Sequence, residues 1–299
     1  MICPRPDDHC VRDETRWTGD HGTRAVTTGL ILLLLAVSAA GQDLKLQGLE
    51  KHVELCNRVA GVSADERIAS CTAVIEAAAQ TPRTLAIAFN NRGNAFYRKG
   101  AYETAIEDYD RSIKVDPRYA KAINNRGLAF QKNGDLTRAL ADFDQSIKLD
   151  PKSAPAFANR GEFFRRKGEY KRASSDYSAA LRLLPTLEGI RNARCWVRAI
   201  MGELKLALAD CNEALREDPK SAATYDSRGL TYLKMARWKD AIVDYNSALQ
   251  LEPKLASSFY GRGVAKLRSG DQGGGKADIA AAIALEPNIE SVFAQYRVR

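Results

Sequence analysis

The chain has 299 residues, 45% apolar and 27% charged, with a net charge of +8. This composition excludes a chain too polar to build a core, and the length suits one large or two ordinary soluble domains. The moderate positive charge favours acidic partners without implying nucleic acid.

The first segment in chain order is the apolar run GLILLLLAV at 29–37, preceded by Arg24 and followed by the small residues SAAGQ. A run this short, ending in small residues, is expected to be a secretory signal peptide cleaved after Ala40. Residues 1–40 are then a leader, and the mature chain is exported, either periplasmic or secreted. An uncleaved hydrophobic anchor is the alternative, and it is the one route to membrane contact. Asp7, Asp8, Asp13, Glu14 and Asp20 make the stretch before Arg24 acidic for a signal. Either translation starts downstream, near Val26, or the leader is atypical. Cys3 and Cys10 precede the run and leave with it, and the lack of a cysteine just after it argues against a lipid-anchored start.

Residues 41–85 are expected to form a helical hairpin. Ser63-Ala64-Asp65-Glu66 is a capping box that opens its second helix. Beyond it, one period dominates. Arg-Gly occurs at 92–93, 126–127, 160–161, 228–229 and 262–263, with Arg194-Cys195 in the gap, so successive arginines stand 34 residues apart. Pro117, Pro151, Pro185, Pro219, Pro253 and Pro287 keep the same step, as do Ala105, Ala139, Ala173, Ala207 and Ala241.

Six units tile residues 86–289: 86–119, 120–153, 154–187, 188–221, 222–255 and 256–289. Each reads as two amphipathic helices, with glycine between them and proline after them. A 34-residue helix–turn–helix unit with these landmarks resembles the tetratricopeptide repeat (TPR). The resemblance implies an all-α fold, a right-handed α-solenoid of stacked antiparallel hairpins. Residues 41–85 would be a divergent extra copy and 290–299 a capping helix, as the ends of a solenoid require.

The stretch GDQGGGKAD at 270–278 imitates a phosphate-binding loop. In the repeat register, however, Gly270 is the turn glycine equivalent to Gly100, Gly134, Gly168 and Gly202. Lys276 falls inside a second helix, Ala277 replaces the hydroxyl residue that would reach magnesium, and no strand precedes the loop. The glycines are expected to loosen the start of the last helix.

Each repeat arginine has an aspartate sixteen residues on: Arg92 with Asp108, Arg126 with Asp142, Arg160 with Asp176, Arg194 with Asp210, Arg228 with Asp244 and Arg262 with Asp278. Both stand about equally far from the turn, so the hairpin brings them level. A repeated structural ion pair is favoured over an anion-binding ladder, because every arginine has its own acid. Gly93 and Tyr109 are expected to face each other. In the fourth unit that glycine–aromatic pair is replaced by Cys195 and Cys211, which implies a disulfide, and Cys56 with Cys71 stand similarly in the first hairpin. Four buried thiols are the alternative. Zinc is disfavoured, since the mature chain offers only His52 as an imidazole.

The same scarcity of histidine argues against triad chemistry, and no carboxylate pair stands outside the repeat pattern, so neither an enzyme nor a cofactor is expected. In the family this chain resembles, the first helix of each repeat lines the inner face of the stack. The resemblance therefore assigns partner binding to Asn90, Asn94, Tyr97 and Arg98, to Lys121, Asn124 and Lys132, and to Glu162, Arg165 and Arg166. Asn192, Trp196, Asp226, Leu230, Leu233, Tyr260 and Val264 continue the face. It is amidic and basic at first and more apolar towards the end. Asn90, Asn94 and Asn124 depart from the lysine-bearing clamp by which some members hold a terminal carboxylate. The expected function is an exported scaffold or adaptor that holds a protein or extended peptide in this groove. The alternatives are a self-associating structural module and a binder of an envelope polyanion; a nucleic-acid partner is not expected.

Overall fold

The computed structural model describes residues 39–58, 60–77 and 81–298, and every regular element among them is a helix. The apolar run at 29–37 lies outside the described residues. No described helix is long and apolar enough to cross a membrane.

The chain divides into two units between Lys152 and Ser153. The first holds α1 (Ala39–Asn57), α2 (Ala64–Glu76), α3 (Pro82–Arg98), α4 (Tyr102–Val115), α5 (Ala120–Lys132) and α6 (Leu136–Leu149). The second holds α7 (Ala154–Arg166), α8 (Tyr170–Leu183), α9 (Ile190–Met201), α10 (Leu204–Glu217), α11 (Ala222–Lys234), α12 (Trp238–Leu251), α13 (Ala256–Ser269), α14 (Gln272–Leu285) and α15 (Ile289–Gln295). In both, paired helices pack as hairpins, α3 on α4 and α13 on α14 for example. First helices also pack side by side, as α3 does on α1 and α11 on α9.

Local sequence explains the breaks. Gly100, Gly134, Gly168, Gly202 and Gly270 turn the chain with φ between 72° and 100°, a region that favours glycine. Ala236 takes the same turn at φ 58°, with a Cβ that this conformation disfavours. Each second helix from α4 to α14 ends on a residue at φ between −130° and −142°, just ahead of proline. The proline ring excludes helical backbone there. Helix α2 opens on Ser63, whose Oγ accepts from the Glu66 amide at 3.2 Å while Glu66 Oε2 accepts from the Ser63 amide at 3.1 Å. Helix α3 starts at Pro82, ahead of the repeat boundary at Ala86, because Thr81 Oγ1 caps the Thr84 amide at 3.1 Å.

Packing inside the hairpins is close. Ala105, Ala139, Ala173, Ala207 and Ala241 are fully buried. A Cβ on Gly93 would lie 2.8 Å from Tyr109 Cε1, and Gly127 meets Phe143, Gly161 Tyr177 and Gly229 Tyr245 in the same way. Where the fourth repeat lacks this pair, Cys195 and Cys211 are disulfide-bonded across 5.4 Å between Cα atoms. Cys56 and Cys71 are bonded across 4.8 Å.

The glycine-rich run is helical from Gln272. Asp271 Oδ1 accepts from the Gly274 amide at 2.8 Å, so a side-chain carboxylate already caps an amide that a phosphate would need. Added Cβ atoms on Gly263 and Gly275 would each come within 2.9 Å of the other's carbonyl oxygen, so these glycines let α13 and α14 cross closely.

The arginines tie these hairpins together. In all six cases Nε and Nη2 donate to the two oxygens of the aspartate sixteen residues on, at 2.7 or 2.8 Å. The third limb, Nη1, reaches the preceding hairpin. Arg92 donates to Thr72 Oγ1 at 2.9 Å, Arg126 to Asp110 Oδ1 at 2.6 Å and Arg194 to Ser178 Oγ at 3.1 Å. Arg228 and Arg262 donate to Asn212 and Asn246 Oδ1, both at 2.8 Å. The bond to Asp108 raises the pKa of Arg92, and that to Asp244 raises Arg228. Burial pushes Asp244 upward. At Asp278 burial acts the same way, but bonds from Arg262 and Lys266 outweigh it and lower the pKa.

Two predictions follow from these contacts. Asp108→Ala would strand the Arg92 guanidinium, whose side chain is 13% exposed, and is expected to cost about 3 kcal/mol in urea unfolding. A loss below 1 kcal/mol would make the pair incidental. Ala236→Gly relieves the left-handed turn and is expected to stabilise the chain by about 1 kcal/mol, and an unchanged urea midpoint would refute that.

Candidate functional site

In the first unit the face of the first helices is built around amides. Asn91 Nδ2 donates to Asn57 Oδ1 at 3.0 Å, Asn90 Nδ2 to Asn91 Oδ1 at 3.2 Å, and Asn125 Nδ2 to Asn90 Oδ1 at 2.9 Å. This ladder crosses α1, α3 and α5. Asn90 and Asn124 are buried, so neither offers the surface expected of it. Asn94 Oδ1 accepts from Tyr109 Oη at 2.8 Å. An asparagine on one first helix lies within reach of the next, and two neutral amides satisfy each other without stranding a charge. The 34-residue step from Asn57 to Asn91 was the sequence signal for the ladder.

What remains on this face is aromatic and basic. Tyr97 is half-buried with Tyr102 at its edge, the rings 5.4 Å apart. Arg98 and Lys121 are exposed and Lys132 half-buried. Arg67 on α2, a residue that sequence reasoning missed, is only 5% exposed, and its Nε and Nη2 have no hydrogen-bond partner among the described residues. Burial, then the neighbouring Arg98, lowers its pKa. Nothing in its sequence context distinguishes it from a surface arginine.

In the second unit the expected basic patch is largely neutralised. Glu162 accepts from Arg165 Nε and Nη2, both at 2.7 Å, from Arg166 Nε at 2.9 Å and from Tyr177 Oη at 3.1 Å. Burial alone would raise Glu162, but the two arginines outweigh it and lower its pKa. Asn192 is buried, with no partner for its Oδ1 among the described residues. The Asp226 carboxylate accepts from the Ser257 and Ser258 hydroxyls of the next first helix.

The chain's own C-terminal segment covers the apolar part of this face. Tyr170, Trp196, Tyr296, Phe293 and Tyr260 form a run of rings, with successive centroids 5.8, 5.4, 5.6 and 4.6 Å apart. Leu230 and Leu233 are buried beneath this layer, which Val264 and Val298 join. Lys234 Nζ donates to the Tyr296 carbonyl at 2.9 Å and to the Ile200 carbonyl at 3.1 Å. Leu230 and Leu233, assigned to partner binding by the resemblance, are therefore withdrawn from solvent. The C-terminal helix α15 packs on α13 and α14 of the last repeat, and Tyr296 beyond it also reaches Trp196 on α9 and Lys234 on α11, where its ring finds apolar cover.

Chemistry that would mark a catalytic centre is sparse. His52 Nδ1 lies 3.4 Å from Ser70 Oγ. No group of three or more metal-binding side chains occurs among the described residues.

Hairpins of this size, repeated at this step, match two family models. One described as TPR repeat matches residues 93–134, and one described as tetratricopeptide repeat matches 120–153. The chain carries tetratricopeptide repeats. Solved TPR structures share the fold. PilW, described as a widely conserved type IV pilus biogenesis factor, is 18% identical with a TM-score of 0.61, over 70% of this chain and 98% of its own. PilF from Pseudomonas aeruginosa is 17% identical with a TM-score of 0.60, over 70% and 97%. YrrB, described as a TPR protein with an unusual peptide-binding site, is 21% identical with a TM-score of 0.52, over 64% and 98%. No curated protein matches the chain.

The buried tyrosines give the second unit a pH limit. Burial holds Tyr177 and Tyr245 well above the usual tyrosine value and Tyr296 at about 12. In the unfolded chain all three ionise near 10, at about the free tyrosine value. Above that pH the folded form holds more protons, so their stabilisation is full below pH ~10 and is lost as pH rises through the folded values. Helicity and tyrosinate absorbance followed from pH 9 to 12 are expected to change together. Ionisation of these three near pH 10 with helicity intact would contradict the assignment.

Proposed function

We propose that this chain is an exported adaptor that holds a protein segment against the first helices of its repeats. The observation that carries this reading is the surface left on the first unit after its internal pairing is complete. Arg98, Lys121 and Lys132 have no hydrogen bond or ion pair among the described residues, and Nε and Nη2 of the buried Arg67, beside Arg98, have no hydrogen-bond partner among them either. Lys121 and Lys132 are eleven residues apart on α5, about 16 Å along a helix. That span suits an extended acidic segment better than a small anion.

Two disulfides support an oxidising compartment, since such bonds are rare where thiols are kept reduced. The pilus-biogenesis description of PilW and the peptide-binding description of YrrB belong to those proteins, and an assembly role in the cell envelope is the form of the proposal they support. Affinity capture from an envelope extract tests it. A partner held by the native chain is expected to drop at least tenfold with Arg98, Lys121 and Lys132 all changed to alanine. Stability should move by less than about 0.5 kcal/mol per site, as is usual at surface positions. Equal capture by both forms would take partner binding off this face.

A further inference from the structure

The second unit carries a separate device, and it rests on the reading that first-helix faces take protein segments. Phe293 and Tyr296, three residues apart, lie against Tyr260 and Trp196. The Tyr296 carbonyl accepts from Lys234. An aromatic pair anchored in an apolar groove, with one main-chain bond, is how a short peptide ligand docks. The occupant is imperfect at one point. Lys234 meets only carbonyl oxygens, with no carboxylate among the described residues, and the nearest charge the segment brings is the like-charged Arg297. Arg297 also adopts φ 56°, a backbone region uncommon for anything but glycine.

We propose that the face formed by Trp196, Lys234 and Tyr260 is a binding site for a partner segment with two aromatic residues three apart followed by an acidic residue, and that the chain's own residues 293–298 are a weak resident which that partner displaces. The acidic residue would stand where the resident has Arg297 and would pair with Lys234. Tethering keeps the resident in place despite the mismatch, since a linked segment acts at an effective concentration on the order of millimolar. A free partner must therefore match the groove better than the tail does.

The test uses a labelled peptide of residues 288–298 carrying Arg297→Glu, with binding read by fluorescence anisotropy. The full chain with Phe293→Ala and Tyr296→Ala is expected to bind it at least tenfold more tightly than the native chain. Adding Trp196→Ala should abolish that binding. The peptide with its native Arg297 should bind the same variant at least fivefold more weakly. A chain ending at Asn288 is the second form, should the double variant lose helicity. Equal binding to native and loosened chains would overturn competition by the tail. No binding to either loosened form, with helicity retained, would overturn the site. A native dimer that dissolves on the double substitution would show the tail serving a second copy, and would overturn the intramolecular arrangement. None of these outcomes touches Arg98, Lys121 or Lys132, so loss of this site leaves the adaptor reading to its own test.

Discussion

Six arginine–aspartate pairs with near-identical geometry set the frame on which the repeats depend. Each guanidinium locks the two helices of its own hairpin through a bidentate bond. In five of the six, the remaining limb is seen to reach the hairpin before it. A buried pair of this kind adds little net stability over an apolar one, but an offset stack would strand its charges. The penalty falls on wrong arrangements, so the pairs act mainly as register keys. The acceptor of the third limb varies among Thr72, Asp110, Ser178, Asn212 and Asn246, as a lone hydrogen bond with no paired geometry permits. The bidentate partner is always aspartate, because only a carboxylate matches the planar fork.

Within that frame, close approach of the helices is solved in three chemically different ways. Most hairpins set a glycine against a ring, the fourth repeat uses a disulfide, and the last brings Gly263 and Gly275 together so that backbone meets backbone. Each places little or no bulk on one helix at the level of the ion pair. The disulfide also shortens the loop available to the unfolded chain, a constraint no aromatic contact provides.

The faces of the first helices have two characters. In the first unit an amide ladder joins neighbouring helices and leaves a basic fringe outside it. In the second, Glu162 neutralises two arginines, and the C-terminal segment covers the apolar ground between Trp196 and Tyr260. One surface leaves basic side chains exposed, and the other is already in contact with an apolar, aromatic segment.

Much of this was legible in the sequence because it repeats. The 34-residue step marks the helices, the turn glycines and the prolines, and the sixteen-residue offset brings each arginine level with an aspartate by hairpin geometry alone. The change of glycine and aromatic to Cys195 and Cys211 was visible for the same reason. What only the tertiary structure decided lies where a residue's neighbour is far away in the chain. Asn90 and Asn124 look like surface amides until the adjacent helices close over them. Arg165 and Arg166 look like free cations until Glu162, itself expected on the face, takes both. Tyr296 stands a hundred residues from Trp196, and no local pattern brings them together. Periodic contacts are set by short-range spacing and can be read along the chain, whereas the covering of a face depends on which apolar groups remain exposed once the repeats have stacked.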